Sequence, residues 1–228
     1  FQLEAIDTFR PKIAAILNIT LNHMDRYSSM DEYANAKLRP SKNQTSDDIA
    51  VINKDDIETS LRIGELNSRA FHFSRKSKVS SGTMVTNNSI ILRHNDQEYE
   101  ICKVDDLKLP GAHNLENALA ATAIVASSGV DPIKIKRPLT SFLGVEHRLE
   151  FVREINGVQY FNDSKATTVI AVQIALESMS APVILIAGGK DKESDYQPLR
   201  ELVNKKVKQL RLSGQATNKI RNELNGSC

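Results

Sequence analysis

The chain has 228 residues, 40% hydrophobic and 25% charged, enough apolar material to bury a core in one large domain or two smaller ones. Its formal net charge of +2 is too small to argue for nucleic acid or a membrane surface, and no run approaches the roughly 18 apolar residues of a membrane span. Cys102 and Cys228 are the only cysteines, which implies no disulfide framework and suits a reducing compartment.

Ile13 to Thr20 is a short Ile-rich run that predicts a buried strand, followed by a polar loop at Asn22 to Tyr27. Met30 to Leu38 predicts a helix, with Asp31 and Glu32 early and Lys37 late to complement its dipole. Asp48 to Asn53 reads as a second strand, ending in a turn and helix start at Asn53-Lys-Asp-Asp56. Four alternating segments, Ala70 to Ser74, Gly82 to Thr86, Ser89 to Arg93 and Glu98 to Lys103, predict strands with hairpins. Ala118 to Ala126 is a small-residue helix that closes at Ser127-Ser-Gly129, and Pro132 to Phe142 reads as another helix.

From Val145 onward the pattern changes, and a domain boundary is expected near Gly144. Glu150 to Ile155 and Val158 to Asn162 predict strands joined by a tight turn at Asn156-Gly157. Strands at Val183 to Ala187 and Val207 to Leu212 then alternate with helices after Val169, at Asp195 to Asn204 and at Asn218 to Leu224. Such alternation marks a parallel sheet with crossover helices, so the expected class is α/β.

Ligands of open α/β sheets bind beyond the carboxyl ends of strands. Two loops leave such ends, Asn162 to Thr168 and Gly188 to Asp195. The first offers Asp163 and Lys165, and the second Lys190 and Lys192 beside two glycines that let a backbone approach a ligand closely. The competing reading is a polar turn with a helix N-cap at Thr167 or Thr168. Gly188-Gly-Lys-Asp-Lys192 lacks the spacing of a Walker A loop, and the chain has none elsewhere. His23, with Asp25 next but one, offers an imidazole to a metal or is an ordinary loop residue. Lys37 by itself reads as a solvated or snorkelling lysine. Asn114 and Asn117 lie one turn apart beside His113, so both amides can face one ligand or serve as caps.

Four stretches occur in a telling order: Asn18-Ile-Thr-Leu-Asn-His-Met-Asp-Arg-Tyr27, Gly111-Ala-His-Asn-Leu-Glu-Asn-Ala-Leu-Ala-Ala121, Glu146-His-Arg-Leu-Glu150 and Asn162-Asp-Ser-Lys-Ala-Thr167. Together they resemble the Mur ligase family, over essentially the whole chain. His-Asn-x-x-Asn and His-Arg are shared with folylpolyglutamate synthases. Asn-Asp-Ser-Lys-Ala-Thr resembles the branch that adds D-glutamate to UDP-N-acetylmuramoyl-L-alanine in peptidoglycan precursor synthesis.

The resemblance implies a central ATPase domain with a mixed or parallel sheet and a small β lobe over residues 1–144. A Rossmann-like C-terminal ligase domain is implied over 145–228. It implies ATP-dependent amide bond formation through an acyl phosphate, in a cytoplasmic monomer that uses no nucleic acid or membrane. ATP would meet Asn114 and Asn117 near the adenine, and Arg148 and Asp163 at phosphate and ribose. Mg²⁺ would be held by His23 and by Lys37 as a carbamate. Lys165, Thr167 and Lys192 would hold D-glutamate or the reacting carboxylate, Lys192 being preferred to Lys190. His23, Lys37 and Lys165 would be the catalytic set. Thr168 departs from the family, which usually has Asn there. The chain opens at Phe1 inside an amphipathic pattern, so both ends are expected to be cut from a longer protein. The first domain, the P-loop, a metal-binding glutamate before Phe1 and the end of the third domain would then be missing, and this piece alone would be inactive. The alternatives are another superfamily member, such as a folylpolyglutamate synthase, or a non-catalytic nucleotide-binding module.

Overall fold

Short β-branched runs and one small-residue helix organise the first part of the chain. The computed structural model describes residues 2–20, 26–109, 111–191 and 194–224. The chain divides into two compact units, Phe1–Phe142 and Leu143–Cys228.

The first unit is built on strands β1 (Ile13–Ile16), β2 (Ile49–Asn53), β3 (Arg69–Ser74), β4 (Gly82–Thr86), β5 (Ser89–His94) and β6 (Gln97–Lys103). They form one sheet in sequence order; β1 to β4 pair in parallel, and β4 to β6 form an antiparallel meander. Helix α1 (Met30–Leu38) follows β1, α2 (Ile57–Leu61) follows β2, and α3 (Ala112–Ser127) and α4 (Lys136–Ser141) follow β6. Alternation along β2 splits the core. Val51 joins Phe71, Phe73, Ile90 and Leu92 against Leu119, Ala120 and Ala123 of α3. Ala50 and Ile52 join Ile16, Tyr33, Ala34 and Leu38 of the α1 layer. The sheet therefore carries helices on both faces, as its parallel half requires. The small residues of α3 let its backbone lie close to the strands, and the buried Thr83 hydroxyl donates to the Leu119 carbonyl at 2.8 Å.

The second unit contains the hairpin β7 (Glu150–Ile155) and β8 (Val158–Asn162), helix α5 (Val169–Ser178), strand β9 (Val183–Gly188), helix α6 (Arg200–Lys206), strand β10 (Val207–Ser213) and helix α7 (Thr217–Glu223). The β9 and β10 strands pair in parallel, and Val183, Leu185, Leu210 and Leu212 pack on Leu176, Leu199, Val203 and Ile220. The β9–β10 pair is the parallel sheet that strand–helix alternation predicts, and the expected hairpin β7–β8 forms a separate antiparallel two-stranded sheet among the described residues. The Asn156-Gly157 turn has positive φ at both residues (52° and 77°), as a tight hairpin demands.

Four expected boundaries differ in the structure. The first strand stops at Ile16 and does not run to Thr20, because the Leu17 and Asn18 carbonyls accept from the Asn53 and Lys37 side chains. The helices expected over 132–142 and 195–204 each begin as a 3₁₀ turn and restart, at Lys136 and Arg200. Prolines within each segment, Pro132 and Pro138 in one and Pro198 in the other, are tolerated only in a first turn. Helix α3 starts at Ala112, earlier than the apolar pattern suggests, so His113, Asn114 and Asn117 are all helical. No helix among the described residues is long and apolar enough to cross a membrane.

Candidate functional site

Because β1 to β4 are parallel, their carboxyl ends share one edge of the first unit's sheet, the edge where ligands of such sheets bind. The run after β2 organises that edge. Asn53 Nδ2 donates to the Leu17 carbonyl at 2.9 Å. One oxygen of Asp55 accepts from Ser74 Oγ at 2.6 Å, and the other from the Arg75 N–H at 2.7 Å, which fixes the chain leaving β3. Asp56 caps α2 by accepting the Thr59 N–H at 2.9 Å, and it also accepts the Ile19 N–H at 3.2 Å. Sequence reasoning took this run for a turn and a helix start. A block of polar residues directly after a fully apolar strand was the signal of a larger role.

Lys37, half-buried on the last turn of α1, reaches the same edge. Its ammonium donates to the Asn18 carbonyl at 2.9 Å and lies 5.4 Å from the centre of the Tyr33 ring. The start of α3 is tied to the end of β3 by Arg75 Nε on Glu116 Oε1 at 3.2 Å. Asn114 and Asn117 flank that contact on the same first turns, with Asn117 exposed. The described contacts do not join Lys37 to these asparagines; what they share is the sheet edge. His23 lies outside the described residues. Just beyond it, Arg26 and Tyr27 donate to the two oxygens of Glu4, at 2.8 and 2.5 Å. Those bonds, Arg26 first, pull the Glu4 carboxyl down to about 2. On β3, burial and then the charge of Lys54 push His72 below its ordinary value.

Among the described residues, no three His, Cys, Asp or Glu side chains gather into a metal-binding group. Asp55 and Asp56 are both engaged with backbone N–H groups, and the Lys37 ammonium with the Asn18 carbonyl. An open cleft of about 510 Å³ elsewhere in the first unit is lined by Asp105, Asp106, Lys108, Lys136 and Thr140, none of them a candidate from the sequence.

In the second unit two loops are bonded to each other. Asp163 Oδ1 accepts the Leu149 N–H at 2.9 Å, and the Lys165 N–H donates to the His147 carbonyl at 3.0 Å. Arg148 sits between the two contacts, and the Ala166 N–H returns to the Asp163 carbonyl at 2.8 Å. The backbone segments bearing Arg148, Asp163 and Lys165 are thus brought together, and both cations are exposed. Thr167 follows, exposed, with its N–H on the Lys165 carbonyl at 2.9 Å. The N-cap of α5 is Thr168, whose Oγ1 accepts the Ala171 N–H at 3.3 Å. Asparagine caps as well as threonine does, so the change from the family's usual residue keeps the cap.

The glycine pair after β9 has a different basis from the one its sequence suggests. A Cβ on Gly188, at φ +141°, would lie 1.8 Å from the Ser213 carbonyl oxygen, so that glycine admits the neighbouring strand and not a ligand. A Cβ on Gly189, at φ +111°, would meet nothing within 4 Å, although its N–H and carbonyl are bonded to the Ser213 carbonyl and the Ala216 N–H. Lys190 is exposed, Asp191 pairs with Lys219 at 3.9 Å, and Lys192 lies outside the described residues.

Residues 2–125 match the family described as the Mur ligase middle domain. The chain belongs to the Mur ligase family. It is 46% identical, over 98% of its length, to the UDP-N-acetylmuramoylalanine–D-glutamate ligase of Geotalea daltonii. The chain spans about half the length of that curated relative (49%). Among solved structures, it superposes on MurF ligase from Thermotoga maritima in complex with ADP with a TM-score of 0.63, at 20% identity, covering 96% of this chain and 56% of that one. Folylpolyglutamate synthase from the same organism gives a TM-score of 0.65 at 16% identity, covering 96% of this chain and 52% of that one. These two likenesses establish the α/β fold of the Mur ligase catalytic region. They do not separate its branches, because ligases of different substrates share it equally.

Proposed function

We propose that this chain is the nucleotide- and amino-acid-facing part of a Mur ligase that adds D-glutamate to UDP-N-acetylmuramoyl-L-alanine at the expense of ATP. The observation that carries this reading is the 46% identity, over 98% of the chain, to a relative of that name. The bonded pair of loops bearing Arg148, Asp163 and Lys165 supports it.

The unit Phe1–Phe142 supplies part of the central ATP-binding domain and Leu143–Cys228 the first part of the C-terminal ligase domain. The terminal carboxylate of the UDP-sugar peptide attacks the γ-phosphorus of ATP, and ADP leaves. The amine of D-glutamate then attacks the acyl phosphate, the C–O bond to phosphate breaks, and an amide and phosphate remain. Such a reaction needs positive charge against the transferring phosphoryl group. Arg148 is the cation for that task, fixed by a backbone bonded on both sides. Lys165 suits an incoming amino acid with two carboxylates, Thr167 offers it a hydroxyl, and Lys192 matches a further position for it. Asp163 keeps one oxygen for the Leu149 N–H and has the other for a ribose or phosphate-bound water. Asn114 and Asn117, one turn apart, present two amides to the adenine. Mg²⁺ belongs to this reading through the family alone, with His23 and a carbamylated Lys37 matching its ligands. The setting is a cytoplasmic monomer.

The test uses the complete reading frame containing these residues, supplied with ATP, Mg²⁺ and UDP-N-acetylmuramoyl-L-alanine. Phosphate release is followed with D-glutamate, L-glutamate, L-lysine or no amino acid. Release that requires D-glutamate and yields the matching amide supports the assignment. Release driven by a folate substrate, or none with any amino acid from a folded protein, overturns it.

A further inference from the structure

Arg148 stands between two residues in the left-handed region, His147 at φ +66° and Leu149 at φ +45°. Neither is glycine, and such backbone persists only where its surroundings over-determine it. The bonds from Asp163 and Lys165 account for part of that. The rest comes from two side chains to which the sequence assigned no role, Glu150 and Asn162. They are cross-strand partners, the first residue of β7 opposite the last of β8. Glu150 Oε2 accepts the His147 backbone N–H at 2.8 Å. Asn162 Oδ1 accepts the Ser164 N–H at 3.1 Å, which fixes which end of that amide is oxygen. Its Nδ2 then lies 2.8 Å from His147 Nδ1. An amide NH₂ only donates, so Nδ1 is the acceptor and carries no proton. The neutral imidazole therefore holds its proton on Nε2. Glu150 Oε2 lies 3.8 Å from Nδ1, beyond hydrogen-bond reach, and accepts the His147 backbone N–H and, at 3.5 Å, Asn162 Nδ2.

We propose that Asn162 and Glu150 are positioning residues that hold His147 as its Nε2–H tautomer and its backbone in the left-handed region, and so fix Arg148 beside the Asp163–Lys165 loop. This deepens the proposed function and rests on it for the role of Arg148. Neither residue needs to touch substrate. Each acts through His147, and the register of one hairpin delivers both.

Two measurements on the complete protein test this. The first is the ring ¹⁵N spectrum of His147, assigned by its loss in His147→Gln. The Nε2–H pattern is expected in the unaltered protein. The Nδ1–H pattern is expected in Asn162→Asp, where a carboxylate that only accepts faces Nδ1. A predominant Nδ1–H ring in the unaltered protein overturns the proposal. The second is a double-mutant cycle on kcat/KM with the D-glutamate assay. Asn162→Ala and Glu150→Ala are each expected to lower it about five- to tenfold, the loss of one or two hydrogen bonds, mainly in kcat. In an Arg148→Ala background neither is expected to lower it further. Losses that add fully in that background mean the two side chains do not act through Arg148, and the proposal fails. A protein with no D-glutamate-dependent turnover defeats the proposed function, while the His147 tautomer still decides the clamp.

Discussion

Gly188→Ala is expected to unfasten the end of the β9–β10 sheet. The added Cβ would lie 1.8 Å from the Ser213 carbonyl oxygen, where ordinary contact begins at 3.4 Å, so the strand end must move by more than an ångström. The φ of +141° is one that side-chain-bearing residues rarely adopt. That strain alone costs on the order of 1–3 kcal/mol. Displacing the strand also endangers the Gly189 N–H bond to the Ser213 carbonyl (2.9 Å) and the Ala216 N–H bond to the Gly189 carbonyl (3.0 Å). At about 1 kcal/mol for a net hydrogen bond, one such loss brings the total to about 3 kcal/mol. Gly189→Ala is the internal control. Its Cβ meets nothing within 4 Å at φ +111°, so only the backbone strain applies, about 1–2 kcal/mol. Hydrogen exchange of the β9 and β10 amides reads the difference locally. Exchange should speed up roughly a hundredfold in the first variant and roughly tenfold in the second. Equal effects would refute the close-approach explanation of Gly188 and return that glycine to a ligand-facing role.

Three other outcomes are expected. Lys206 Nζ donates to the carbonyls of Leu176, Glu177 and Met179 at 2.9, 2.8 and 2.7 Å, capping the end of α5; Lys206→Met should cost about 2 kcal/mol in urea unfolding, and a change below a few tenths would deny the cap. Glu4 has its carboxyl pulled to about 2 from the ordinary 4.5, so it contributes stability that is present above 4.5 and is lost as pH falls toward 2. Glu4→Gln should remove that part of the acid dependence in urea melts taken across the same range. His72 is pushed below its ordinary 6.5 by burial, so the folded state favours the neutral ring and loses stability as pH drops under 6.5. His72→Gln should flatten that slope, and an unchanged slope would place its origin elsewhere.

The elements were largely legible because each carried its own local signal. Helix α1 has the bounds that its early acids and late lysine suggest, and its N-cap Ser29 accepts the Glu32 N–H at 3.2 Å. The hairpin of β7 and β8 was legible from Asn156-Gly157, since Asn, Asp and Gly are the residues that take two successive positive φ values at little strain. What local pattern could not give was the partner of each strand. Alternation of strand and helix predicts parallel pairing, yet it cannot say which neighbours meet. Pairing is a long-range choice made by packing, and here it leaves β7–β8 apart from β9–β10.

The candidate site was legible at the level of residues and not of their bonds. Asp163 was visible as a loop carboxylate, but its bond to the Leu149 N–H spans two loops that only the hairpin register brings together. The same register explains why Glu150 and Asn162, though within the stretches that resemble the family, carried no role of their own: each is an ordinary strand-end polar residue until the two stand opposite each other with His147 between their hydrogen bonds. The glycine pair failed in the opposite direction. Its sequence suggested room for a ligand at both positions, whereas a backbone carbonyl from β10 already fills the space a Cβ would take at Gly188, and only at Gly189 is that space open. Spacing along the chain can nominate a residue for chemistry. It cannot tell a glycine that admits a ligand from one that admits a neighbouring strand, because that difference is a matter of a single atom's distance across the sheet.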